Sequence, residues 1–121
     1  MAKPIILICE DEIHAQDAIG NFLAKRNYSV YRANDGLKAI QSVKELNPDL
    51  ILLDVRMPKI DGIEVAKRIR AFNQRVKIVF LTAFEGQELS KEAAKYKISG
   101  YIVKPSPVEN ILKTIENALA D

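Results

Sequence analysis

Apolar residues along this chain alternate between two rhythms. Short, nearly continuous runs occur at Ile5–Cys9, residues 50–53 and residues 78–81. Strands covered on both faces read this way. Two further runs, Val30 to Ala33 and Tyr101 to Val103, are mixed or shorter, as edge strands are. Between the runs the period becomes helical. Ala15, Ala18, Ile19, Phe22 and Leu23 form one stripe. Ala39, Ile40, Val43 and Leu46 form a second, stopped by Asn47-Pro48. Val65, Ala66, Ile69 and Phe72 form a third, opened by Asp61 with Glu64 in capping-box register. Val108, Ile111, Leu112, Ile115 and Leu119 form the last. Ser106 is expected to cap it, with Pro107 at the first helical position and Glu109 closing the box. Residues 86–97 are different. Only Leu89, Ala93, Ala94 and Tyr96 are apolar there, which predicts a thinly anchored fourth helix that shifts at low cost.

The alternation amounts to five β-α units. It predicts an α/β fold with a mainly parallel sheet and helices on both faces. The three buried runs belong in the centre and the two mixed ones at the edges. The order 2-1-3-4-5 fits that placement, which periodicity alone does not fix. A length of 121 residues suits one domain, 1–121, with no room for a second. A share of 48% hydrophobic and 28% charged residues is ordinary for a globular domain. No run is of membrane-spanning length and no charged-then-apolar leader precedes the first strand, so a soluble, unexported, cytoplasmic chain is expected. The single Cys9 lies in an apolar run and reads as a reduced core residue. A net charge of +2 is too small to argue for nucleic acid. Basic residues are locally dense only at Lys67-Arg68-Arg70 and Arg75-Lys77, which read as a solvated helix face and the loop after it.

Charge then changes the picture. The acidic cluster Glu10-Asp11-Glu12 follows the first run, Asp54 the third, Thr82 the fourth and Lys104 the fifth. A parallel sheet gathers such residues at one edge, outside the carboxyl ends of its strands, where open α/β sheets bind ligands. Clustered carboxylates repel one another unless a hard cation sits among them, and Mg²⁺ prefers oxygen donors. The pattern predicts a divalent-metal site around Asp54, with Lys104 placed to meet an anion. Each residue alone has a plainer role. The acidic trio suits a helix N-terminus. Thr82 suits a strand, Tyr101 an edge strand, Lys104-Pro105 a loop, and His14 an exposed helix position.

Taken in order, CEDE at 9–12, PDLILLDVRMPKIDGIEV at 48–65, FLTAF at 80–84 and YIVKP at 101–105 resemble the receiver domains of two-component response regulators, over essentially the whole chain. The resemblance implies a flavodoxin-like doubly wound (βα)5 fold in the order 2-1-3-4-5. It implies Asp54 as phosphoacceptor, and Mg²⁺ held by Asp11 and Asp54, by Glu10 through water and by the backbone carbonyl of Arg56. Lys104 would pair with a phosphoryl oxygen and Thr82 would hydrogen-bond the attached group. Tyr101 matches the switch aromatic coupled to Thr82, and the Lys104–Pro105 bond one that is cis in the family. Implied partners are a sensor histidine kinase or phosphotransfer protein, and a downstream target on the face of the fourth helix, fifth strand and last helix. No direct nucleic-acid contact or membrane insertion is expected. The expected role is a signalling switch that catalyses its own phosphorylation and dephosphorylation, not an enzyme with turnover.

Three residues depart from the family pattern. Lys97 stands where a glycine commonly ends the fourth helix, Ser106 replaces a frequent phenylalanine, and Phe84 places a ring two residues past Thr82. A flavin carrier is disfavoured because an acidic trio after the first strand repels phosphate. A haloacid-type phosphatase is disfavoured because the candidate nucleophile follows the third strand. A receiver-like module that works without phosphorylation is the remaining alternative. A stand-alone receiver and part of a larger regulator are both expected readings of the chain.

Overall fold

The computed structural model describes residues 2–83, 91 and 94–120. Five parallel strands form one sheet in the order β2-β1-β3-β4-β5. They are β1 (Ile5–Cys9), β2 (Ser29–Ala33), β3 (Leu50–Asp54), β4 (Lys77–Thr82) and β5 (Ile98–Val103). The helices between them are α1 (Ile13–Ala24), α2 (Gly36–Leu46) and α3 (Gly62–Arg70), and a C-terminal helix covers Val108–Ala120. Residues 91 and 94–96 are helical within the expected fourth helix; the rest of that expectation, and Phe84, lie outside the described residues.

Burial follows the sequence rhythm. β3 is buried at every position, and β1 and β4 at all but their first, whereas β2 and β5 are partly exposed. The sheet separates two apolar clusters. One packs Leu7, Ile51, Leu53, Ile78 and Phe80 against α2 and α3. The other packs Ile6, Ile8, Leu52 and Leu81 against α1 and the C-terminal helix. Period-2 alternation along each central strand feeds both layers at once.

Helix ends show how local chemistry sets the boundaries. Glu12 accepts the His14 and Ala15 amides, Asp35 the Lys38 amide and Asp61 the Glu64 amide, each meeting N–H groups that the first turn leaves unpaired. Asn47 ends α2 in the left-handed region at φ 49°, and Lys97 takes φ 56° before β5. That conformation favours residues without a Cβ.

Four details differ from the expected pattern. Ser106 Oγ donates to the Val103 carbonyl at 2.7 Å, and the Pro107 carbonyl accepts the Asn110 and Ile111 amides. The C-terminal helix thus begins at Val108, with Pro107 as its cap, one position later than expected. Ala18 is exposed and Gln16 is buried in its place, because Gln16, Ile19, Gly20 and Leu23 share the inward face. Phe72 lies beyond α3, 44% exposed, with the Lys44 ammonium 5.0 Å from its ring centroid.

Gly62 ties α3 to the end of β3. Its N–H donates to the Val55 carbonyl at 2.8 Å, and a Cβ there would sit 2.3 Å from the Asp54 carbonyl oxygen. Backbone cannot yield as a flexible side chain does. Gly62→Ala is therefore expected to destabilise the fold by about 1–3 kcal/mol, the usual cost of overpacking. Urea denaturation should show a lower midpoint with an unchanged slope; an unchanged midpoint would refute this close approach.

Candidate functional site

Each strand end delivers one part of the site. β1 runs into Glu10, which is 2% exposed, and then into exposed Asp11. β3 ends on Asp54, 5% exposed. β4 ends on buried Thr82. Lys104 follows β5, and its amide donates to the Thr82 carbonyl at 2.7 Å. The Lys104–Pro105 bond is cis. Tyr101 pairs in register with Phe80 and is 40% exposed. Arg56 is exposed, and its backbone N–H donates to Asp54 Oδ1 at 3.1 Å. His14 and Glu12 are exposed on the first turn of α1, where Glu12 serves as a cap.

Charges meet at close range. Lys104 Nζ lies 3.1 Å from Glu10 Oε1 and 3.1 Å from Asp54 Oδ2. Carboxylate oxygens of Glu10, Asp11 and Asp54 come within 4.8 Å of one another. One ammonium thus pairs with two of three clustered carboxylates. Glu10 Oε2 is buried with no hydrogen-bond partner among the described residues. An unmet buried carboxylate oxygen is costly. Three hard oxygen donors and that unmet atom fit a divalent cation.

The electrostatics follow from this crowding. Burial, then the hydrogen bond and charge of Asp54, push the Glu10 carboxyl up to about 7, against the pull of Lys104. Burial on its own disfavours the Lys104 ammonium, but hydrogen bonds to Asp54 and Glu10 outweigh it and the net shift is upward. Burial also raises the Cys9 thiol, reinforced by Asp35 and Asp54, so the thiolate is suppressed. Cys9 Sγ packs 3.4 Å from Met57 Sδ, a reduced core residue as its sequence setting predicts.

Gln16 is a site residue that the sequence reading missed. Its Nε2 donates to the Glu10 carbonyl at 3.0 Å and the Ala33 carbonyl at 3.1 Å. It thereby fixes the backbone that presents Glu10. The available signal was its phase: it lies three residues before Ile19 on the apolar face.

A family model for the response regulator receiver domain matches residues 6–116. The chain belongs to that family. This receiver is 36% identical over 115 residues to the transcriptional regulatory protein ZraR of Escherichia coli, covering 95% of this chain and 26% of that protein. It thus spans about a quarter of that relative's length. It is 32% identical over 117 residues to the chemotaxis protein CheY of Treponema pallidum, covering 94% and 81%. A crystal structure of the chemotaxis protein CheY4 of Vibrio cholerae superposes with a TM-score of 0.92 at 29% identity, covering 97% of this chain and 99% of that one. Among the described residues no helix is long and apolar enough to cross a membrane.

The raised Glu10 value has a sign that can be tested in metal-free receiver. Folding favours the protonated carboxyl. That stabilisation is complete below the ordinary value of 4.5 and is lost as pH rises through about 7. Glu10→Gln cannot titrate. Over that window the wild type should lose melting temperature relative to Glu10→Gln, as read by calorimetry with a chelator present. A constant difference between the two would contradict the shift.

Proposed function

We propose that Asp54 accepts a phosphoryl group in a Mg²⁺-dependent reaction and that the modified receiver then changes its protein partners. The observation that carries this reading is the convergence of Glu10, Asp11, Asp54 and Lys104 at one sheet edge. Receiver domains use Mg²⁺, and Asp11 and Asp54, with Glu10 through water and the Arg56 carbonyl, would hold it here. Bound there, the cation supplies positive charge that offsets the carboxylates and the phosphoryl oxygens together.

The chain's own groups do the rest. An Asp54 oxygen forms the new O–P bond as the bond from phosphorus to its donor breaks. From a histidine kinase or phosphotransfer protein that is an N–P bond. Its electron pair stays on the imidazole, which takes a proton from solvent. From a small acyl phosphate the leaving group is a carboxylate. The Arg56 amide, 3.1 Å from Oδ1, leaves the other carboxylate oxygen for attack once Lys104 releases it. Lys104 then meets a phosphoryl oxygen as a point charge. Thr82 hydrogen-bonds the attached group, and Tyr101 follows it. That motion shifts the population of the face formed by residues 94–96, β5 and the C-terminal helix, where a downstream partner docks. The long Arg56 side chain, two residues past Asp54, screens the acyl phosphate from water. The receiver works as a cytoplasmic switch that modifies itself.

Intact-mass measurement after incubation with Mg²⁺ and acetyl phosphate tests the reading. One phosphoryl group is expected on the wild type, and none on Asp54→Asn or in excess chelator. Equal labelling of both proteins would move the acceptor elsewhere. No labelling under any donor would favour a module that acts without phosphorylation.

A further inference from the structure

The opposite edge of the sheet carries a second concentration of charge, of the other sign. A cavity of about 300 Å³ opens at the amino ends of β4 and β5, lined by Arg70, Gln74, Arg75, Lys77, Lys97 and Ser99 among others. Among the described residues, four cations line it and no carboxylate does. Arg70 is 9% exposed, yet its guanidinium meets no carboxylate among the described residues. It donates instead to three backbone carbonyls, those of Tyr96 at 2.7 Å, Asn73 at 3.0 Å and Lys97 at 3.1 Å. Burial disfavours its charged form. Nor do Arg75, Lys77 or Lys97 form an ion pair with a described residue. Asp49 lines the neighbouring cavity together with Lys77, and its Oδ2 accepts the Ile5 amide at 2.7 Å.

Backbone geometry adds to this. The register slips between Ile78 and Val79, so that Ile98 pairs with Ile78 and Gly100 with Val79. Ser99 is the extra residue, left out of the ladder and exposed at the cavity. Bulges of this kind re-aim side chains beside sites. Lys97 holds φ 56° immediately before it, a strained position for a residue with a Cβ. A glycine would relieve that strain, and the chain keeps a cation there instead.

We infer that this cavity binds a small, multiply charged phosphoanion of the diphosphate class, at a site separate from Asp54. Its volume is at the lower end of ligand sites, which suits such an anion better than a whole nucleotide. The Arg75 guanidinium can fork onto two phosphate oxygens, and Lys77 and Lys97 add point charges. The two sites lie at opposite ends of β4, six residues or roughly 20 Å apart. An anion here is therefore not the phosphoryl group of Asp54, and the inference stands whether or not Asp54 is an acceptor.

The probe is inorganic pyrophosphate, titrated at physiological ionic strength without divalent metal and followed by amide chemical shifts and calorimetry. Saturable shifts are expected at residues 74–77 and 97–99. Arg75→Gln and Lys97→Gly should each weaken binding about tenfold, as loss of one charge-assisted hydrogen bond implies. Lys97→Gly serves as the folding control, because it should melt at or above the wild-type temperature. Arg70 is left intact, since its carbonyl contacts are structural. Unchanged affinity in both variants would overturn the site. So would shifts centred on Lys104, or sulfate binding as tightly as pyrophosphate.

Discussion

Three carboxylates cluster at the carboxyl edge of the sheet with one half-buried ammonium that pairs with two of them, and the site's architecture is arranged around that imbalance. Glu10 and Asp54 are nearly inaccessible to water, so their charges are weakly screened. Lys104 bridges them across 94 and 50 residues of sequence. Only a sheet that brings the ends of β1, β3 and β5 together can make that contact. The order 2-1-3-4-5 does so, with its reversal point between β1 and β3, where open α/β sheets place their ligands.

Rigid supports hold the charges in place. Gln16 fixes the Glu10 backbone from α1, and the Arg56 amide fixes one oxygen of Asp54. Gly62 lets α3 start close against the Asp54 carbonyl. Lys104 is anchored through its own amide to Thr82, so its ammonium and the end of β4 move as neighbours. A site built from supported strand ends is preorganised. The same closeness makes the metal-free state electrostatically poor. The Glu10 carboxyl, pushed up to about 7 by burial and by Asp54, is the symptom.

Much of this was legible in the chain. Continuous apolar runs marked the three central strands because burial on both faces leaves no polar period. Asp35 and Asp61 cap their helices because short carboxylates reach free amides, and Asp61 with Glu64 was readable from spacing alone. Lys104 and Asp54 were readable as strand-end residues. What escaped depended on tertiary phase or local competition. Gln16 is polar yet buried, since two backbone carbonyls satisfy its amide. Phe72 continues the stripe of α3 in sequence, but the helix ends before it. Ser106 had two places to bond, and it donates to the Val103 carbonyl behind it. The cationic cavity at the other edge was invisible as a site, because Arg70, Lys77 and Lys97 come together only through the β4–β5 pairing.

Charge repulsion relieved by a cation is the central claim, and thermal unfolding of wild type and Asp54→Asn with and without Mg²⁺ tests it most directly. Removing one of three crowded charges should raise the melting temperature of the metal-free protein. It should also remove most of the stabilisation that Mg²⁺ gives, because a ligand stabilises only the fold that binds it. The account predicts opposite signs: Asp54→Asn melts higher than wild type in chelator, and gains less than wild type from Mg²⁺. A variant that melts lower in chelator and gains as much from Mg²⁺ as the wild type would contradict it.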